Sequence, residues 1–138
     1  IMKIAFAGPA SNILLALIGC IILNYTNGIE FIINGVPKFN VTMVPWYVSV
    51  SLYIFSSINV VLAVFNMLPI APLDGSQIFG SIIKEKNPEL AYALDKRGPF
   101  ILMMIVFFGI LTGYSLFSIV ISPITNMFFK YVANIHVL

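Results

Sequence analysis

The stretch Val64-Phe-Asn-Met-Leu-Pro-Ile-Ala-Pro-Leu-Asp-Gly-Ser76 places one carboxylate, Asp74, at the end of an otherwise apolar run. Proline has no amide N–H, and its ring disfavours helix at the residue before it. Pro69 and Pro72 therefore take the helical donors from the carbonyls of Phe65 and Leu68, and the chain is expected to unwind just before Asp74. Irregular backbone at membrane depth survives only where protein or a water-filled cavity surrounds it. An ionisable side chain there is costly unless it is paired or bound to a metal. Asp74 is thus a candidate metal or ion ligand, and Asn66 adds an amide within reach of the same turn. A plainer reading stands beside this one: a turn at the headgroups with Asp74 in water, and Asn66 as a helix-packing amide. Composition alone favours the plainer reading.

The elements that would position these residues follow from the charge distribution. Of 138 residues, 60% are hydrophobic and 9% charged, and the mean hydropathy is +1.04. Soluble domains carry roughly 25% charge, so a soluble enzyme, a disordered tail and a nucleic-acid binder are excluded as expectations. The net charge of +2 is too weak to call for a phosphate-rich partner, and the single Cys20 permits no disulfide within the chain. No charge occurs from Ile4 to Ile29, from Phe39 to Leu73, or from Gly98 to Phe129. A helix crosses a hydrocarbon core of about 30 Å with roughly 20 residues. One span is expected in each gap, at Ile4–Leu23, Trp46–Leu68 and Phe100–Val120. Pro123 is expected to break the last run, leaving Ile124–Val137 as an interfacial helix or partial span.

Lys84, Lys86, Lys96 and Arg97 lie between the second and third spans, whereas Lys38 alone lies between the first and second. The positive-inside tendency puts the former loop in the cytoplasm and the latter outside. The outer loop reads Ile29–Ile33, Asn34-Gly35, Val36–Thr42, a hairpin pattern with a primed turn and with Pro37 marking an edge strand. Within the inner loop, Asn87-Pro88 reads as a break or a helix start. The expected fold is all-α: a polytopic membrane protein of about three transmembrane helices with a short extracytoplasmic β-hairpin, one membrane-embedded domain over residues 1–138.

Asn66-Met-Leu-Pro69-Ile-Ala-Pro72-Leu-Asp74-Gly75 resembles the N-x-x-P-x-x-P-x-D-G motif of the site-2 protease family, the intramembrane zinc metalloproteases. Ala7-Gly8-Pro9-Ala-Ser-Asn12 resembles the A-G-P-x-x-N of the preceding core helix, in the same order and at a similar separation. The pattern is closest to the family's compact branch, and the resemblance covers most of the chain. It implies a hydrolase that cleaves transmembrane segments of membrane-anchored proteins in the lipid bilayer, in the plasma membrane of a prokaryote. In that family zinc is held by two histidines of H-E-x-x-H and by the aspartate of D-G, leaving one position for water. By resemblance Asp74 is the third zinc ligand, and Asn66 the catalytic residue that binds the substrate carbonyl or oxyanion.

The chain departs from the family in having no H-E-x-x-H. Its one histidine, His136, reads as a tail residue, and Ser76 stands where the family often has a second glycine. One carboxylate cannot hold a catalytic zinc, so two expectations compete. The chain is an N-terminally truncated fragment, which its start directly before the second core element favours, or it is a catalytically inactive homologue. Two other classes stay open, a membrane scaffold and a transporter subunit with Asp74 as an ion ligand. The transporter expects a second broken helix with its own polar ligands. The hairpin around Asn34-Gly35 is a further candidate, an edge for an unwound substrate strand.

Overall fold

The computed structural model describes residues 2–34, 36–40 and 44–137. Its elements run α1 (Met2–Thr26), β1 (Ile29–Ile33), β2 (Val36–Phe39), α2 (Trp46–Asn66), α3 (Asp74–Lys86), α4 (Pro88–Thr112), α5 (Leu116–Met127), a π-helical turn (Phe128–Val132) and β3 (His136–Val137). The chain divides into two units, one of Ile1–Ser11 with Leu62–Val120 and one of Asn12–Val61 with Ile121–Leu138.

Two helical stretches, Lys3–Thr26 and Trp46–Asn66, are long and apolar enough to cross a membrane. They coincide with the first two expected spans. The third expectation changes. Phe100–Val120 is not one straight helix, because α4 stops at Thr112 and Gly113 adopts φ 73. The Gly113 amide donates to the Gly109 carbonyl at 3.0 Å, and α5 sets off at 89° to α4. If this bent pair is one broken span, the described residues hold three spans; otherwise they hold two. Pro123, the expected breaker, lies inside α5. Proline keeps a helical φ and removes one donor, whereas the left-handed φ of Gly113 turns the whole chain.

The second unit shows how its helices are held. Helix α1 ends in a Schellman motif: Asn27 at φ 48 donates to Asn24 O at 3.3 Å, and Gly28 to Leu23 O at 3.2 Å. Small residues let α1 and α2 approach closely. A Cβ on Gly19 would overlap the buried Ser56 hydroxyl, and one on Gly28 would lie 2.5 Å from Ser49 Oγ. Between apolar helices in lipid, such close packing replaces the missing hydrophobic drive. Gly19→Val is accordingly expected to destabilise the protein by about 1–3 kcal/mol, read as a lower melting midpoint in detergent. An unchanged midpoint would show that the contact is slack.

Strands β1 and β2 form the expected hairpin, with Ile33 opposite Val36 and Ile32 opposite Pro37. Asn34 has φ 50, as a primed turn needs at its first central position; Gly35 and residues 41–43 lie outside the described residues. The segment expected as an interfacial helix over 124–137 instead finishes α5, makes the π turn and adds β3 parallel to β1. His136, expected in a tail, sits opposite Phe31 in this ladder. The sheet order is β2-β1-β3, so β1 has partners on both sides. Only β2, which carries Pro37, and the two-residue β3 keep open edges. The π turn places Phe129 in the centre of a core with Cys20, Leu23, Ile29 and Ile32, and the Tyr53 ring lies 4.8 Å from that of Phe129.

Candidate functional site

The site belongs to the first unit and begins where α2 ends. Pro69 cannot donate to Phe65 O, and the Leu68 amide takes that carbonyl instead at 3.1 Å. Pro72 cannot donate to Leu68 O, which receives the Ile70 amide at 2.8 Å. Both carbonyls orphaned by proline are thus served by a nearer donor, in turns tighter than a helix. The Leu73 amide then closes on Ile70 O at 2.9 Å across a cis Ala71–Pro72 peptide. The expected unwinding is present, confined to 67–73 and fully hydrogen-bonded along the backbone at these points.

Leu73 stands at the N-cap of α3 with φ −73 and ψ 155 and offers no side-chain cap. The Ser76 amide and hydroxyl both donate to its carbonyl, at 3.1 and 2.7 Å. That role suits the serine found where a second glycine is common. Asp74 occupies the first helical position, where the helix dipole favours an anion. It is half-buried.

Two glycines bring other backbone against it. A Cβ on Gly8 would lie 2.7 Å from Asp74 Oδ2, so the A-G-P glycine of α1 forms the wall that the carboxylate faces. A Cβ on Gly75 would collide with the carbonyls of Met67 and Leu68, so the D-G glycine lets the first turn of α3 lie on the end of α2. The two stretches that carry the family resemblance therefore meet at Asp74. Asn66, the last residue of α2, is half-buried, and its amide makes no hydrogen bond among the described residues. Asn12 falls in the other unit.

A cleft of about 250 Å³ lies between α3 and α4, with Pro69, Ser76, Lys84, Tyr92 and Asp95 among its walls. Asp74 does not line it. Ser76, Gly80 and Ile83 face the cleft at helical spacing, while Gly75 and Ile78 are buried on another side of α3.

A zinc centre of the implied kind needs three protein ligands. Among the described residues no group of three His, Cys, Asp or Glu side chains is placed to hold a metal. Asp74 brings one carboxylate, and the residues present do not make a complete zinc site. What the geometry supplies is one carboxylate, held at a helix N-terminus against a glycine wall. Sequence reasoning chose Asp74 and Asn66 and found the turn. It gave Gly8 no task and overlooked Gly98, although the Gly-Pro pair that follows Arg97 was a visible signal.

Helices long and apolar enough to cross a membrane, with a carboxylate at a proline-broken helix end, are the marks of a membrane protein. Peptidase family M50 matches residues 1–111, and the chain belongs to that family. It is also similar to a Bacillus subtilis (strain 168) protein named "Putative zinc metalloprotease YwhC", 29% identical over 118 residues that cover 82% of this chain and 48% of the relative. The chain thus spans about half the length of that relative. No solved structure matches it.

Proposed function

We propose that this chain is the aspartate-bearing part of an intramembrane zinc metalloprotease, which hydrolyses peptide bonds in transmembrane segments of membrane-anchored proteins. The observation that carries the reading is the meeting of the two motif stretches, with Asp74 Oδ2 set against Gly8. Asp74 serves as one zinc ligand. The two histidines and the glutamate of H-E-x-x-H come from outside these 138 residues. The chemistry that zinc would supply, were it held by Asp74 with those histidines, is an acidified water near the scissile carbonyl. This chain contributes the carboxylate, the tightly bonded turn that holds it at the start of α3, and the free amide of Asn66 for the substrate carbonyl. The substrate is a protein helix in the bilayer, and the α3–α4 hairpin with its four cations lies on the cytoplasmic side.

A transporter would need a second broken helix with polar ligands. The break at Gly113 is flanked by Thr112, Tyr114 and Ser115 and brings no carboxylate. The protease reading is tested by metal removal from the complete protein in detergent. Phenanthroline is expected to abolish cleavage of a membrane-anchored reporter, and added zinc to restore it. Cleavage that persists after the metal has been stripped would overturn the reading.

A further inference from the structure

We propose that Gly98 is a positioning residue for Asp74, the second of two Gly-Pro braces that fix the turn from Met67 to Leu73. This rests on the reading of Asp74 as a zinc ligand. The chain has two Gly-Pro pairs, Gly8-Pro9 and Gly98-Pro99, and both lie inside helices, α1 and α4. Both glycines abut the segment that carries Asp74. Gly8 meets the carboxylate itself. Gly98 meets the backbone three residues earlier: a Cβ there would lie 2.5 Å from Ala71 O, 2.8 Å from Ala71 N and 3.1 Å from Ala71 C.

These are main-chain atoms, so no side-chain rotation can make room. Gly98 is also the buried residue of α4, with exposed Arg97 and Pro99 on either side. Ala71 lies between the two prolines, and short-range hydrogen bonds tie the backbone on each side of it: Ile70 to Leu68, Leu73 to Ile70, Ser76 to Leu73. A push at Ala71 therefore travels to the N-cap of α3 and to Asp74. Pro99 adds a second feature. It cannot donate to Asp95 O, and its ring crowds that carbonyl, so the helix is loosened next to the glycine. Gly80 in α3 differs: a Cβ there meets nothing within 4 Å.

The test uses the complete protein in its membrane, with Cys20→Ala and Asp74→Cys, and reads the rate at which a water-soluble maleimide labels position 74. This readout needs neither metal nor activity. Gly98→Ala adds a methyl against rigid backbone and is expected to change the rate by about tenfold, as an overpacked contact does to a local opening equilibrium. Pro99→Ala adds no atom at the contact and restores a helical donor, so it is expected to fold well. It too should change the rate, by redirecting α4 at Gly98. Gly80→Ala should leave it unaltered. An unchanged rate in folded Gly98→Ala, or in Pro99→Ala where the former does not fold, overturns the proposal.

With Asp74 restored, Gly98→Ala is expected to lower kcat by about 10² with KM nearly unchanged, the cost of a misplacement of about 1 Å at the reacting centre. Normal kcat would likewise overturn the brace. Full activity of Asp74→Ala would instead remove Asp74 as a zinc ligand while the labelling result still stood, so the two failures are distinct.

Discussion

Asp74→Ala in the complete protein is expected to abolish cleavage of a membrane-anchored substrate and to strip most of the zinc, while the protein stays folded. Loss of an outer partner of a metal ligand already costs about 10–100-fold in affinity or activity, and removing a ligand must cost more. The fold persists because Asp74 is half-buried and makes no packing contribution comparable to Leu73 or Ile78, which are buried on either side of it in sequence. The backbone of the turn is tied by the amides of Leu68, Ile70 and Leu73, none of which needs the carboxylate. Asp74→Glu sharpens the point. With Oδ2 already against Gly8, the longer side chain has no room on that side and must carry its oxygens elsewhere. It is expected to rescue little. Cleavage assays with metal analysis of the purified variants check both outcomes. Wild-type turnover with full zinc in Asp74→Ala would take Asp74 out of the centre.

Much of this site was legible in the sequence because proline acts locally. The effect of Pro69 and Pro72 on Phe65 and Leu68 depends on missing N–H groups and not on distant packing, so the unwinding could be placed just before Asp74, although α2 ends at Asn66, two residues short of the expected Leu68. Asn87-Pro88 was legible for the same reason. Asn87 caps α4, its Oδ1 accepting the Leu90 amide at 3.0 Å, and Pro88 takes the first helical position. The Asn34-Gly35 pair likewise marked where the hairpin turns, with Ile33 opposite Val36.

What escaped depended on remote partners. Pro123 and Gly113 are both helix breakers by type, and only the surroundings decide which one turns the chain. β3 pairs two residues with a strand about a hundred positions earlier, a contact that no local period encodes. The approach of Gly98 to Ala71 is of the same kind. The resemblance singled out Asp74 as a candidate ligand, but the wall that its carboxylate faces depends on the approach of α1 to α3. Small residues carry little signal of their own, since a glycine in a helix reads as a penalty of about 1 kcal/mol until the atom that needs its missing Cβ is known.

Asn66 separates a chemical role from a packing role, and its variants are expected to show a large effect. It ends α2 eight residues before Asp74, half-buried, with an amide that no described residue engages. The buried Asn59 on the same helix behaves differently, its Nδ2 donating to Phe55 O at 2.8 Å. Asn59 is thus the packing amide of this helix, and Asn66 keeps its donors for another partner. If that partner is the developing oxyanion, Asn66→Leu should lower kcat by roughly 10²–10³, the usual cost of losing one such donor. Asn66→Asp should do no better, since an ionised carboxylate has no proton to donate and repels the oxyanion. Zinc content should be unchanged in both, which distinguishes them from Asp74→Ala. Asn59→Leu is the matched control, expected to alter the melting midpoint more than turnover. A packing role for Asn66 makes the opposite forecast: leucine suits an apolar setting, so turnover would stay near wild type. Kinetics of the three variants beside their metal content decide between the two, and normal kcat in Asn66→Leu would leave the oxyanion without its donor from this chain.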